Sequence, residues 1–264
     1  MPKSVVEKNT QVSGDFRLIR LRMEGAKKLN IKPGQFVMLR VSEGLDPLLR
    51  RPFSVYDSEG GSVVELLYKV VGKGTAIMRD MVKGDGVDVM GPLGKPFPAV
   101  KDPSKLVMVA GGIGAAPFYL LTKEIAKKRG TPLFLFGART KADAKIASLF
   151  KGLNAKTFIS TEDGSVGAKG RVTALLEKKL SEGSVIYACG PMGMLKAVSA
   201  VAKERGVKCL VSLEAGMCCG IGVCLGCAVK TIKHEKSPDN ALYKMVCSDG
   251  PVFDANDIDW GSFR

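Results

Sequence analysis

Four cysteines near the C-terminus constrain this 264-residue chain more than any other feature. Cys219, Cys224 and Cys227 stand in C-x4-C-x2-C spacing within Cys219-Gly-Ile-Gly-Val-Cys224-Leu-Gly-Cys227, and Cys247 follows in Val246-Cys247-Ser-Asp-Gly. A loop can deliver three thiolates to one compact inorganic core only by wrapping around it. Gly220, Gly222 and Gly226 permit that wrap, because glycine enters φ > 0 freely and lets backbone N–H groups approach sulfur. The interval is the plant-type spacing for a [2Fe–2S] cluster. Cys247 would close the cage from a separate strand or turn. The chain is therefore expected to carry single electrons.

Other uses of cysteine fit less well. Disulfide frameworks belong to short secreted chains. Here the cysteines number seven, and Met1-Pro-Lys-Ser lacks the apolar run of a signal peptide. Structural zinc favours two separated C-x2–4-C pairs, and a zinc-stabilised binding module stands as the non-enzymatic alternative. Cys218 abuts Cys219 and offers a shifted C-x5-C register. Only Cys219 gives the ferredoxin interval, so Cys218 is read as a packing thiol.

The length accommodates two modest domains and a small module. The longest apolar run, residues 106–121, is short and broken by Gly111, Gly112, Gly114 and Pro117, so no membrane span is expected. A cytoplasmic protein follows. The net charge of +14 is uneven: from Glu214 onward there are five Lys/Arg against seven Asp/Glu. No basic–aromatic recognition module accompanies the positive part, which reads as solvated lysine faces and anionic cofactors rather than a nucleic-acid surface. His234, the single histidine, lies in a lysine-rich polar stretch and is read as a surface residue.

Three parts follow from the rhythm of the chain, giving a multidomain protein. Residues 1–100 contain short alternating runs, at Phe16–Met23, Gln35–Val41, Ser54–Tyr56 and Val63–Val71, separated by Gly and Pro. They predict an antiparallel β-barrel with one helix near Thr75–Met81. Residues 101–213 alternate apolar strands (Leu106–Ala110, Pro132–Phe136, Lys156–Ser160, Ser184–Cys189) with helices near Pro117–Lys128, Arg171–Leu180 and Met192–Arg205. That rhythm predicts an α/β domain with a parallel sheet. Residues 214–264 form the cluster module.

Two nucleotide sites are suggested by local chemistry. Arg51-Pro52-Phe53-Ser54 enters a barrel strand, and Gly72-Lys-Gly74-Thr75 opens the barrel's helix. A glycine-preceded helix N-terminus offers free N–H groups to a phosphate, and an arginine can add a bidentate contact. In the α/β part, Gly111-Gly112-Ile-Gly114 and Cys189-Gly190-Pro191 each follow a strand, at the end where open α/β sheets bind ligands. Strand entry, helix capping and tight crossover packing explain the same residues without a ligand.

Taken in order, Arg51-Pro-Phe-Ser54, Gly72-Lys-Gly-Thr75, Gly111-Gly-Ile-Gly114 and Cys189-Gly-Pro191 resemble the ferredoxin–NADP reductase superfamily. With the C-terminal cysteines, Met245–Phe253 and Thr161-Glu-Asp-Gly164, the chain resembles the family of electron-transfer subunits of NAD-dependent (type B) dihydroorotate dehydrogenases. The resemblance implies a relay in pyrimidine biosynthesis. A catalytic subunit containing FMN would oxidise dihydroorotate, and electrons would pass through the [2Fe–2S] cluster and FAD to NAD+, in a heterotetramer with two copies of each subunit. It implies that Arg51, Pro52, Phe53, Ser54, Tyr68, Gly74 and Thr75 hold FAD, with Ser54 near flavin N5. It implies that Gly111, Gly112, Gly114, Gly190 and Pro191 serve NAD, with Cys189 beside the reacting rings. Cys219, Cys224, Cys227 and Cys247 would bind the cluster. Other ferredoxin-linked or electron-bifurcating NAD(P)H oxidoreductases share this plan, but they often carry Asp where Cys219 stands. Arg139 leaves NADP open.

Overall fold

The computed structural model describes residues 3–25, 28–232 and 242–263; His234 lies outside them. The first part is a seven-stranded antiparallel sheet built from β1 (Lys3–Ser13), β2 (Phe16–Met23), β3 (Phe36–Arg40), β4 (Arg51–Ser54), β5 (Asp57–Glu59), β6 (Val63–Lys69) and β7 (Gly86–Leu93), with α1 (Lys73–Asp80) between β6 and β7. The strand order is β4-β3-β7-β1-β2-β6-β5. Its two edge strands, β4 and β5, are separated by only Val55 and Tyr56, so the sheet curls into a barrel. The run Ser54–Tyr56, expected as a strand, is this crossing point. Val55 N–H donates to Gln35 O at 3.0 Å and Tyr56 N–H to Glu65 O at 2.9 Å, so the chain changes partner between two strands. Pro52, which has no N–H, is tolerated because β4 is an edge.

Alternation dictates the inner face. In β2, Phe16, Ile19, Leu21 and Met23 are buried, while Arg20 points outward to Glu7 (2.9 Å), Glu59 (2.7 Å) and Glu65 (2.7 Å) on three other strands. The arginine thus ties four strands together on the wet face.

The second part comprises β8 (Leu106–Gly111), α2 (Ala116–Lys127), β9 (Leu133–Ala138), α3 (Lys141–Ala144), β10 (Lys156–Thr161), β11 (Ala168–Lys169), α4 (Val172–Lys179), β12 (Val185–Cys189), α5 (Met192–Glu204) and β13 (Lys208–Ser212). The order β11-β10-β9-β8-β12-β13 is parallel throughout. Strand order reverses between β8 and β12, with β9 to β11 added on one side and β13 on the other, which creates a topological switch point at their carboxyl ends.

The last part adds β14 (Ala228–Lys230), β15 (Tyr243–Met245) and β16 (Val252–Asp254). β14 and β15 pair with each other. β16 leaves them and joins the large sheet antiparallel to β13, with Leu210 opposite Asp254. No helix among the described residues is long and apolar enough to cross a membrane.

The parts share cores. Phe97 of the barrel segment stacks on Phe118 (5.5 Å) and Tyr187 (4.8 Å), and Tyr187 donates to Pro98 O at 2.8 Å. Tyr56 stacks on Tyr119 at 4.1 Å. Beside that pair, Lys123 Nζ meets the buried Asp57 carboxylate at 2.6 Å. Lys123→Met keeps the stem and strands that carboxylate. It should lower stability by about 1–3 kcal/mol in urea unfolding, and adding Asp57→Asn should recover part of the loss.

Candidate functional site

The cysteine loop is shaped by its backbone. Gly220 (φ +75°) and Gly222 (φ +84°) occupy the left-handed region that glycine alone adopts without strain. A methyl group on Gly220 would lie 2.9 Å from Met38 Cγ of the barrel, so the loop presses directly on β3. The turn brings amides to sulfur. Cys219 Sγ accepts from Ile221 N–H and Cys224 N–H, both at 3.5 Å, and Cys247 Sγ accepts from Gly222 N–H at 3.1 Å. Cys227 Sγ lies 3.2 Å from Cys247 Sγ and accepts from Cys247 N–H at 3.4 Å.

These contacts act on the thiols differently. The N–H groups of Ile221 and Cys224, aided by the Cys224 side chain, pull the Cys219 thiol down to about 6. Burial, with the neighbouring Cys227 thiol, pushes Cys247 up to about 11. The four thiols therefore form two pairs, Cys219 with Cys224 and Cys227 with Cys247. Among the described residues no three His, Cys, Asp or Glu side chains close on a point suited to one metal ion. Two thiol pairs with N–H groups aimed at sulfur fit a two-iron cluster, which divides its ligands between two metals and is tuned by such hydrogen bonds.

Beside the loop lies a cleft of about 390 Å³ at the seam of barrel and parallel sheet. Arg51, Pro52, Phe53, Ser54, Tyr68 and Thr75 line its barrel side. Thr75 Oγ1 accepts from Val71 N–H (2.9 Å) and Gly72 N–H (3.1 Å), fixing the start of α1, whose first-turn amides have no acceptor inside the helix. Gly74 carries no side chain where Arg51 crosses; a methyl there would meet Arg51 Nε at 2.8 Å. Tyr68 is anchored by its hydroxyl to Asn9 Oδ1 at 3.0 Å and stands edge-on to Phe53. A guanidinium, a bare helix N-terminus and an apolar aromatic wall suit a flavin dinucleotide.

Cys189, from the end of β12, closes the same cleft opposite the barrel. Burial, and then the nearby Glu214 carboxylate, raises its thiol well above the ordinary range. Ala215, Met217 and Pro251, sequence neighbours of the cluster ligands, complete the wall.

A second cleft of about 690 Å³ opens at the switch point. Gly111, Gly112, Gly190 and Pro191 line it. Gly114 stands beneath them, where a methyl group would lie 2.2 Å from Cys189 O; its bareness lets the turn after β8 seat against the end of β12. Arg139, Arg171 and Glu162 form the distal rim. Ile113, Lys69 and Glu214 line both clefts, so the two are adjoining rooms of one site. Glu214 opens toward them, yet the protein packed around its carboxyl strips water from it and raises its pKa. Sequence reading missed these three shared residues.

Comparison with known proteins finds three family models along the chain. Residues 3–97 match the oxidoreductase FAD-binding domain, residues 108–200 the oxidoreductase NAD-binding domain, and residues 214–259 the iron–sulfur cluster binding domain of dihydroorotate dehydrogenase B. The dihydroorotate dehydrogenase B (NAD(+)) electron transfer subunit of Geobacillus thermodenitrificans is 42% identical over 231 residues, covering 86% of each chain. That of Fusobacterium nucleatum is 37% identical over 262 residues, covering 96% of each. Among solved structures, an NADH-dependent reduced ferredoxin-NADP oxidoreductase superposes with a TM-score of 0.84 at 29% identity, over 98% of this chain and 90% of that one. A ferredoxin NADP+ reductase from Neisseria gonorrhoeae shares the fold, with a TM-score of 0.64 at 19% identity over 77% of this chain and 91% of that one.

Removing the guanidinium should loosen the flavin. Arg51→Ala is expected to weaken FAD retention by about 1.5–3 kcal/mol, the worth of a charge-assisted hydrogen bond. Flavin released on dilution, read by fluorescence, measures it, and unchanged occupancy removes Arg51 from the site.

Proposed function

This chain belongs to the family of dihydroorotate dehydrogenase B electron transfer subunits, and we propose that it carries electrons from dihydroorotate oxidation to NAD+. The observation that carries the reading is the shared wall of the clefts. Residues flanking the cluster ligands, Ala215, Met217 and Pro251, face the barrel side of the first cleft, while Ile113, Lys69 and Glu214 open it to the second. Three stations are thus contiguous, as short electron and hydride transfers require.

The bound flavin and iron–sulfur groups supply the conversion between single-electron and hydride transfer. This chain's residues supply placement. Arg51 and the first turn of α1 hold the FAD diphosphate, with Gly74 clearing space for the guanidinium. Pro52, Phe53 and Tyr68 shape the flavin wall, and Ser54 offers a hydroxyl to the ring edge. Gly111, Gly112, Gly190 and Pro191 seat NAD, with Gly114 supporting the turn from below. Burial and Glu214 keep the proton on Cys189 Sγ, so this thiol adds no negative charge to the wall of the first cleft, where the flavin would bind. Cys219, Cys224, Cys227 and Cys247 hold the cluster.

The units are taken as residues 1–100 for FAD, 101–213 for NAD and 214–264 for the cluster. As an electron transfer subunit the chain works with a catalytic subunit, which we take to carry FMN and to assemble two-to-two with this one in the cytoplasm. The docking face is assigned to the cluster loop. There Ile221 (55%), Val223 (75%) and Leu225 (63%) stand exposed between the ligands, an apolar patch suited to a protein partner. The likeness to reduced ferredoxin-NADP oxidoreductase supports a second reading, the same relay serving a different donor.

Co-purification with an FMN-containing dehydrogenase, followed by an orotate-production assay with NAD+, separates the two. Orotate formation supports the first; a flavin- and iron-loaded complex without it leaves the second. Cys247→Ser should lose iron and acid-labile sulfide and abolish orotate-linked NAD+ reduction, yet retain flavin and NADH–dye reduction. Equal loss of both activities would show that the cluster is structural.

A further inference from the structure

We propose that Cys218 is a reserve ligand of the iron–sulfur site, able to take the place of Cys224. The inference rests on the cluster reading above. Of the four assigned ligands, Cys227 and Cys247 are buried and Cys219 is partly buried, whereas Cys224 is exposed. Cys219, Cys227 and Cys247 each accept a backbone N–H at sulfur. Cys224 Sγ accepts none among the described residues. It is the most weakly held ligand and the most open to displacement.

The fifth thiol lies beside it. A methyl group on Gly226 would be 3.6 Å from Cys224 Sγ and 3.7 Å from Cys218 Sγ. Both sulfurs therefore rest against the same bare face of Gly226, no farther apart than the 7.3 Å sum of those distances. No side chain at 226 stands between them. Cys218 is exposed and has no hydrogen-bond partner of its own among the described residues, so nothing must be broken to recruit it.

The exchange is redox-neutral. An iron–sulfur bond forms to Cys218 Sγ as the bond to Cys224 Sγ breaks. The proton leaving the Cys218 thiol passes to the departing Cys224 thiolate, and the iron oxidation states are unchanged. A site with such a reserve keeps its metal when its exposed ligand is lost or modified.

The test compares Cys224→Ser with Cys218→Ser/Cys224→Ser, prepared anaerobically, by iron and acid-labile sulfide per flavin and by EPR after reduction. Cys224→Ser is expected to keep most of its iron and sulfide, with g-values displaced from those of the unaltered protein, and the double variant to lose both. Loss in Cys224→Ser equal to that in the double variant overturns the proposal, and so does equal retention in both. Absence of iron and sulfide from the unaltered protein would instead remove the cluster reading itself, and the reserve role with it. If Cys224→Ser fails to retain flavin, release of iron to a chelator is compared between the unaltered and Cys218→Ser proteins. Faster release from Cys218→Ser supports the reserve role, and equal rates overturn it.

Discussion

One dipeptide holds the redox stations in register. Lys95 N–H, at the end of the barrel, donates to Gly250 O at 2.5 Å, and Leu213 N–H, just beyond β13, donates to Pro251 O at 2.9 Å. Gly250 and Pro251 are thereby clamped between the two larger parts, three residues past Cys247. Gly94 makes the approach possible: its φ of +76° suits glycine, and any side chain there would strike Pro251 Cδ. If this clamp slipped, the cluster loop would lose its place beside the flavin cleft, although every ligand remained in the chain.

The clamp is supported by burial that ignores domain limits. Phe36 and Met38 of the barrel, Val109 and Val211 of the parallel sheet, and Cys227, Val246 and Phe253 of the cluster segment belong to one apolar core. The aromatic stack of Phe97, Phe118 and Tyr187 seals the opposite side of the seam. Cores that interlock this way resist independent movement, because displacing one part would expose apolar surface of the others. Fixed placement suits a relay, since transfer depends on distances held constant.

How much was legible in the sequence depended on locality. The cysteine loop was readable because its ligands and glycines lie within nine residues and the chemistry dictates the interval. The helices of the parallel part were readable because their apolar period spans two or more turns, and α2, α4 and α5 begin and end within one residue of expectation. β13 escaped notice because five residues after a long helix carry too little pattern. The break at Val55 and Tyr56 was hidden for a different reason: both residues are buried like strand residues, and only their hydrogen-bond partners reveal the crossing. Lys69, Ile113 and Glu214 meet only when three distant segments converge, so no local motif announces them. Gly114 was visible as part of a glycine-rich turn, but its position under the cleft floor depends on the carbonyl of Cys189, seventy-five residues away.

β16 has a consequence for solubility as well as for the site. A parallel sheet that ended at β13 would present a row of open amides and carbonyls from Lys208–Ser212, a template for another chain. The three residues Val252–Asp254 cover the Leu210–Ser212 part of that row, and a segment so short, ending in the carboxylate of Asp254, offers little new edge in return. The C-terminal tail is therefore a guard against self-association. A chain truncated before residue 252 would trade a redox defect for a sticky rim.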